Sequence, residues 1–189
     1  MRENDKALSL IPMRFGTLFK EKASLEETLN KDYTKIREVL ERIRGKQEWS
    51  VKVYLKDRRK FEQVIKEKNE TIKEKERKIG DLPEGMAFFM EEELKEAIYE
   101  ELDKELNNIA EGLFADLEKQ SIASVKNKIL EKELTGRREP MVLNVAYLIP
   151  EEKIEDFDKE AQRLNQEIQA NGFYLECSGP WPAYNFSAY

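Results

Sequence analysis

The side chains that most often carry enzyme chemistry are scarce in this sequence. The chain of 189 residues has no histidine and a single cysteine, Cys177. Ser–His–Asp and Cys–His nucleophile pairs are therefore excluded, together with histidine-ligated metals, zinc sites and iron–sulfur clusters. The sequence also lacks a Walker lysine motif and a G-x-G-x-x-G turn, so the common nucleotide-binding loops are missing. We expect a protein that is not an enzyme and that has no cofactor and no metal site.

Three remaining features have a chemical and a structural interpretation. Residues 91–93 are three glutamates, but adjacent side chains diverge around a helix, which favours a solvated helix start over a cation site. Cys177 has no cationic neighbour in sequence and is interpreted as a small core residue. Arg14 lies between Met13 and Phe15 and points away from them on a predicted strand. It faces solvent or a carboxylate, or it anchors an acidic group of a partner.

Composition narrows the class of protein further. The net charge of −6 gives no basic footprint, which argues against nonspecific nucleic-acid binding. No apolar run approaches the ~20 residues that span a bilayer, and the first residues do not resemble a signal peptide. With one cysteine, no disulfide framework is available. We expect a cytoplasmic protein without membrane insertion.

The N-terminal part predicts a strand, a helix and a second strand. Residues 9–15 are predicted to form the first strand. Ser24 and Glu27 have the spacing of a capping box, and apolar residues then recur at steps of three and four until Gly45 ends the helix. Residues 49–55 alternate between apolar and polar side chains, as a half-buried strand does.

A long helical excursion follows. Asp57 is placed to cap a helix over 57–79 whose apolar stripe is narrow, which is typical of packing against one partner helix. After the break at 80–85, apolar periodicity marks a second long helix over about residues 91–118. The periodicity continues weakly through Val125 and Ile129, or it is interrupted at Ser121 and Ser124. The first helix is predominantly basic and the second strongly acidic. We predict an antiparallel hairpin whose charges complement each other, although two solvated faces would give the same pattern.

The C-terminal part returns to strand, helix and strand. Residues 141–149 read as a central strand, Pro150 opens a helix with an apolar stripe through Ile168, and residues 173–177 form the last strand. Two split β-α-β units in one antiparallel sheet predict an α+β, ferredoxin-like fold. The predicted domain comprises residues 1–56 and 135–189, with 57–134 inserted as a helical arm.

The tail after the last strand is the most unusual stretch. Pro180 and Pro182 cannot donate ladder hydrogen bonds, so the tail leaves the sheet or follows an edge. Trp181, Tyr184 and Phe186 place large rings on a stiff backbone, suited to docking a partner. Alternatively these rings cover the protein's own sheet, which is favoured for Trp181 because such a large ring is usually well buried. For the other two rings both alternatives stay open.

This tail, SGPWPAYNF over residues 178–186, resembles the C-terminal GPWPPY signature of the gas vesicle GvpF/GvpL family. Three further stretches agree with the family in the same order: residues 11–17, 48–53 and 141–148. Ala183 departs from the pattern by replacing the second proline, which loosens the expected backbone there. Family members are longer, with another ferredoxin-like domain ahead, so this sequence is a short member or the C-terminal part of one.

The resemblance implies a non-enzymatic accessory protein that binds the gas vesicle shell protein GvpA, and possibly other gas vesicle accessory proteins, and assists gas vesicle assembly. The candidate contact residues are Pro180, Trp181, Pro182, Tyr184, Phe186 and Arg14. Two alternatives remain. One is a helical-arm adaptor that dimerises through residues 57–134, and the other is a ferredoxin-like domain with a polar-lined pocket for a small ligand or substrate.

Overall fold

Helices and one antiparallel sheet make up the protein. The computed structural model describes residues 9–13, 16–80 and 82–187. The helices are α1 (Lys22–Lys31), α2 (Tyr33–Ile43), α3 (Arg58–Lys68), α4 (Glu70–Gly80), α5 (Glu84–Glu118), α6 (Lys132–Thr135) and α7 (Ile154–Gln169). The strands are β1 (Lys46–Leu55), β2 (Ala123–Lys126), β3 (Met141–Pro150) and β4 (Phe173–Trp181).

The sheet has the strand order β2-β3-β1-β4, and all neighbouring strands are antiparallel. Helix α7 connects β3 to β4, and β1 lies between these two strands. The C-terminal half therefore forms a split β-α-β unit, as its alternating and helical periodicities predict. Gly45 precedes β1 with a φ of +65°, a left-handed conformation that suits glycine after the end of α2.

The front face of the sheet, defined as the face that carries Val51, Val145 and Leu175, supports the main core. These side chains alternate along their strands and pack with residues of α3, α4, α5 and α7 in one continuous cluster. Leu117 of α5 and Phe157 of α7 are completely buried in it. Phe61 of α3 packs edge to face on Phe173 of β4, and both α3 and α4 contact α5. The stripe of α3 is therefore buried against the sheet as well as against a helix, whereas its sequence predicts packing against one partner helix alone.

The back face of the sheet carries a smaller cluster. Ala146 and Leu148 of β3 contact Ile43 at the end of α2, and Phe186 of the C-terminal tail completes the cluster. Because both faces are covered, β3 is buried at every position from Leu143 to Ile149. This explains its nearly continuous apolar sequence.

The first predicted strand, residues 9–15, is not found. Residues 9–13 form no strand, and Arg14 and Phe15 lie outside the described residues. Pro12 cannot donate a ladder hydrogen bond, and Ile11 packs against the back-face cluster instead. The first of the two predicted split β-α-β units is therefore not formed by the part of the chain that the structure describes.

Two predicted helices differ in their boundaries. The helix expected to start at Ser24 begins at Lys22, and the Ser24 hydroxyl donates to the Glu21 carbonyl, so the predicted capping box is wrong. The helix predicted over 57–79 has its expected cap, because Asp57 accepts a 3.0 Å hydrogen bond from the Lys60 backbone. It breaks at Asn69, whose side chain accepts from the Ile72 backbone and starts α4.

The weak periodicity through Val125 and Ile129 does not indicate helix. Helix α5 ends at Glu118, and residues 123–126 form β2, which pairs with β3 at the sheet edge. Ala123 and Val125 face the back-face cluster, while the Ser124 hydroxyl donates to the Glu118 carboxylate at 2.6 Å. The predicted helical continuation is therefore wrong, because these residues alternate as a short edge strand does.

Candidate partner-binding site

The C-terminal tail, defined as residues 178–187, runs off strand β4 and turns back onto the sheet. Trp181 is the last residue of β4 and lies opposite Glu48 of β1, with an irregularity in the pairing at Trp49. Beyond it, the Tyr184 N–H donates to the Pro182 carbonyl at 2.6 Å and the Phe186 N–H donates to the Ala183 carbonyl at 3.2 Å. These tight turns redirect the chain toward the back face.

Glu48 holds the tail by a pair of hydrogen bonds. Its two carboxylate oxygens accept from the Asn185 backbone N–H at 2.9 Å and from the Asn185 side-chain amide at 2.6 Å. Glu48 is only 4% exposed. Burial raises the pKa of its carboxyl, and the hydrogen bonds from Asn185 oppose that rise without cancelling it.

Arg42 provides a second anchor. Its guanidinium donates a 2.7 Å hydrogen bond to the backbone carbonyl of Phe186. The Phe186 ring is 8% exposed and packs with Ile43 and Leu148, and Ala183 is buried beside it. The tail is therefore fixed at its turn by polar contacts and at its end by an apolar side chain.

Gly179 allows the tail to pass close to β1. A Cβ atom at this position would lie 2.7 Å from Cδ2 of the Trp49 indole, so a side chain would collide with the ring. The Trp49 nitrogen donates to the Gln47 side chain at 3.1 Å, which holds the ring in place. Glycine is thus required at residue 179 for close approach.

Two rings remain exposed on this anchored tail. Trp181 is 52% exposed and Tyr184 is 60% exposed. The Trp181 nitrogen donates to the Ser178 hydroxyl at 3.2 Å, which orients the indole along β4. Pro180 is exposed as well, and Pro182 is half-buried. Of the predicted contact residues, Pro180, Trp181 and Tyr184 are therefore exposed. Phe186 covers the protein's own sheet, and Arg14 lies outside the described residues.

A shallow cleft adjoins the tail at the edge of the sheet. It has a volume of about 330 Å³ and is lined by Arg42, Ile122, Ala123, Leu148, Asn185 and Phe186. The lining combines apolar side chains with one guanidinium and one amide. Such a cleft suits an apolar side chain of a partner next to a polar group.

Some residues of this surface were not singled out from the sequence. Glu48, Asn185 and Arg42 shape the tail, yet they lie on three separate segments of the chain. A signal for Glu48 was present: a carboxylate beside the Trp49–Val53 apolar alternation is placed where a strand is buried. The contact between Arg42 and a backbone carbonyl has no sequence signature.

Other sites for chemistry are not evident in residues 9–13, 16–80 and 82–187. Within these ranges no three His, Cys, Asp or Glu side chains are grouped to hold a metal ion. Burial raises the pKa of the Cys177 thiol to about 12, with a smaller contribution from the charge of Asp158. None of the described helices combines the length and the apolar character needed to cross a membrane.

Comparison with known proteins places the chain in a family. The family model of the gas vesicle synthesis protein GvpL/GvpF matches residues 5–188. The chain belongs to the GvpL/GvpF family. This membership confirms the resemblance that the tail signature and the three ordered stretches indicate.

Two curated relatives of the GvpL/GvpF family are similar to this chain. Gas vesicle protein L1 of Halobacterium salinarum is 26% identical over 94% of this chain and 63% of its own length. Gas vesicle protein L of Haloferax mediterranei is 23% identical over 94% of this chain and 55% of its own length. The chain therefore spans somewhat more than half the length of each relative.

Solved GvpF structures have a similar fold. The crystal structure of GvpF from Anabaena has a TM-score of 0.74 at 18% identity and covers 96% of this chain and 70% of that one. The structure of GvpF from Microcystis aeruginosa has a TM-score of 0.66 at 20% identity, covering 96% and 71%. The mixed helical and antiparallel architecture is thus shared with GvpF.

Proposed function

We propose that this GvpL/GvpF family member is a non-enzymatic accessory protein that binds the gas vesicle shell protein GvpA and assists its assembly. Membership of the GvpL/GvpF family supports the role in gas vesicles. The observation that carries shell-protein binding is the exposure of Trp181 and Tyr184 on a tail anchored by Asn185 and Phe186. Other gas vesicle accessory proteins are proposed as further partners of the same surface.

The anchoring matters for affinity. A ring on a free chain end must lose conformational entropy on binding, whereas a ring on a held backbone has already lost most of it. Each exposed aromatic ring also offers a large apolar area with one polar group. An apolar shell protein must stay soluble before it assembles. Binding to these exposed rings would cover part of its apolar surface.

We further propose the domain organisation that fits this role. A ferredoxin-like domain of residues 1–56 and 135–189 presents the tail. Residues 57–134 are inserted in it as a largely helical arm, whose helices α3, α4 and α5 contribute to the main core and whose strand β2 joins the sheet edge. Helices α3 and α4 both contact α5, which supports the hairpin component of this proposal. We place the protein in the cytoplasm, associated with gas vesicles.

The proposal is tested by co-expression with affinity-tagged GvpA from the same host. The wild-type chain is expected to co-purify with GvpA, and the double variant Trp181→Ala, Tyr184→Ala is expected to lose most of this binding. Truncating exposed aromatic anchors typically costs ~2 kcal/mol or more at an interface. The matched control is Tyr33→Ala, because Tyr33 is 63% exposed on α2 and lies outside the tail.

Equal recovery of wild type and double variant would exclude the tail as the contact surface. A host strain without this gene that still forms normal gas vesicles would contradict the role in assembly. Circular dichroism and thermal unfolding establish that the double variant and Tyr33→Ala fold.

A further inference from the structure

The cleft at the sheet edge beside the C-terminal tail combines apolar walls with a single charge. Its volume is about 330 Å³, and four apolar side chains, one guanidinium and one amide line it: Ile122, Ala123, Leu148, Phe186, Arg42 and Asn185. Ile122 is 51% exposed, so its side chain is open to contact from outside. Among the described residues that line the cleft, Arg42 alone carries a charge. The cleft therefore presents a cation next to apolar surface.

The guanidinium of Arg42 uses only part of its hydrogen-bonding capacity within the protein. A guanidinium has five N–H donors in one plane. The Nη2 atom donates to the Phe186 backbone carbonyl at 2.7 Å, which holds the group beside the tail. In residues 9–13, 16–80 and 82–187, Arg42 is in no ion pair, whereas Arg44, two residues along the chain, lies 2.8 Å from a Glu41 carboxylate oxygen. Arg42 thus has donors left for an acceptor that this part of the chain does not supply.

Glu48 does not provide this acceptor, although Asn185 connects it to the same cleft. Both of its carboxylate oxygens accept hydrogen bonds from Asn185, at 2.9 and 2.6 Å. Its side chain is almost completely buried and does not line the cleft. The charge of Arg42 is therefore not matched by a carboxylate among the described residues of the cleft, and a carboxylate from outside would complement it.

We propose that the cleft binds an acidic side chain of the partner protein together with a neighbouring aliphatic side chain. The planar Arg42 guanidinium donates to the carboxylate, and the aliphatic side chain packs against Ile122 and Phe186. Apolar neighbours lower the local dielectric constant, so the ion pair is stronger here than on an open surface. A volume of about 330 Å³ is near the lower end of ligand pockets and suits one or two side chains. This inference rests on the proposed function, in which the partner is the shell protein, and it adds the chemistry that the shell protein presents to the cleft.

Titration of the isotope-labelled protein with two blocked dipeptides, followed by NMR, tests the cleft without any gas vesicle component. Acetyl-Leu-Glu-amide and acetyl-Leu-Gln-amide have nearly the same shape and differ in charge. The acidic peptide is expected to shift the backbone amides of Ala123, Leu148 and Asn185 with a Kd of roughly 1–10 mM, as suits so small a ligand. The neutral peptide is expected to bind about threefold more weakly. Added salt should reduce this difference, because it screens the ion pair.

Arg42→Gln separates pairing with the carboxylate from a structural role of Arg42. If the guanidinium contacts the ligand, the variant binds both peptides with equal affinity. If Arg42 only holds the Phe186 carbonyl, the variant weakens both peptides by the same factor and keeps the preference for the acidic one, which would overturn the proposal. Arg44→Gln is the matched control, because Arg44 is exposed, lies two residues away and does not line the cleft. It is expected to keep the preference of the wild type.

Three further results would overturn the proposal. They are equal binding of the two peptides by the wild type, no shift of the cleft amides by either peptide up to about 20 mM, and tighter binding of acetyl-leucine than of the acidic peptide. The last result would assign the cleft to a chain-terminal carboxylate. Failure of the proposed function is a separate outcome, because it is read from co-purification of the Trp181→Ala, Tyr184→Ala variant with GvpA, which the peptide titration does not involve.

Discussion

The side-chain amide of Asn185 donates a 2.6 Å hydrogen bond to a Glu48 carboxylate that is almost completely buried. The two residues are 137 positions apart in sequence, so this contact closes the C-terminal tail onto the central strand β1. A buried carboxylate without donors would be strongly destabilising. Together with the Arg42 contact and the buried Phe186 ring, this pair therefore sets the course of the tail.

Removing that amide should loosen the tail. We expect Asn185→Ala to lower the free energy of unfolding by ~1–3 kcal/mol, because the Glu48 oxygen loses its donor while staying buried. Urea unfolding measures the change. Asn108→Ala is the control, since the Asn108 amide makes an exposed hydrogen bond to Glu105. If both variants lost the same stability, the buried pair would have no special role.

Stability should depend on pH through Glu48. Folding raises the pKa of this carboxyl above its ordinary value of 4.5, so the folded protein binds the proton more tightly than the unfolded chain does. The resulting stabilisation is fully present below pH 4.5 and is lost as the pH rises through the folded pKa. Denaturant unfolding of wild type and Glu48→Gln across this range should show the wild type losing stability relative to the variant. Parallel pH profiles would contradict the assignment.

Two glycines should respond to alanine in opposite directions. At Gly179 the new Cβ would collide with the Trp49 ring, and we expect a loss of ~1–3 kcal/mol in the free energy of unfolding. Gly112 lies inside α5 with open space around it, so Gly112→Ala should stabilise by up to ~1 kcal/mol. Thermal unfolding of both variants checks the signs. A neutral Gly179→Ala would show that the indole moves aside at little cost.

Local patterns predicted the C-terminal elements well. Strand β3, helix α7 and strand β4 follow from apolar runs and periodicities that each lie within one segment. The Asp57 cap is equally local, since its partner is three residues away. Where the interacting residues are close together in the chain, the local sequence pattern is enough to predict the element.

The predictions from sequence are wrong where the interacting residues lie far apart in the chain. Residues 123–126 form a strand because they pair with β3. Ile11 packs against the back-face cluster and does not pair with a strand. Which tail ring is buried depends on Arg42 and Glu48, far from the rings in sequence. Trp181 is half exposed although its size favours burial, because the turn at 182–186 directs Phe186 onto the sheet instead.

Cys177 should be unreactive until the protein unfolds. Burial raises its pKa to about 12, and the thiolate is the reactive form, so at pH 8 the thiol of the folded protein stays protonated. We expect iodoacetamide labelling, followed by mass spectrometry, to be slow in buffer and to increase with urea along the unfolding transition. The control is Ser178→Cys in a Cys177→Ser background, because residue 178 is exposed and should react at once in the folded state. Labelling of native Cys177 at the rate of that control would show that its thiol faces solvent and is not part of the front-face core.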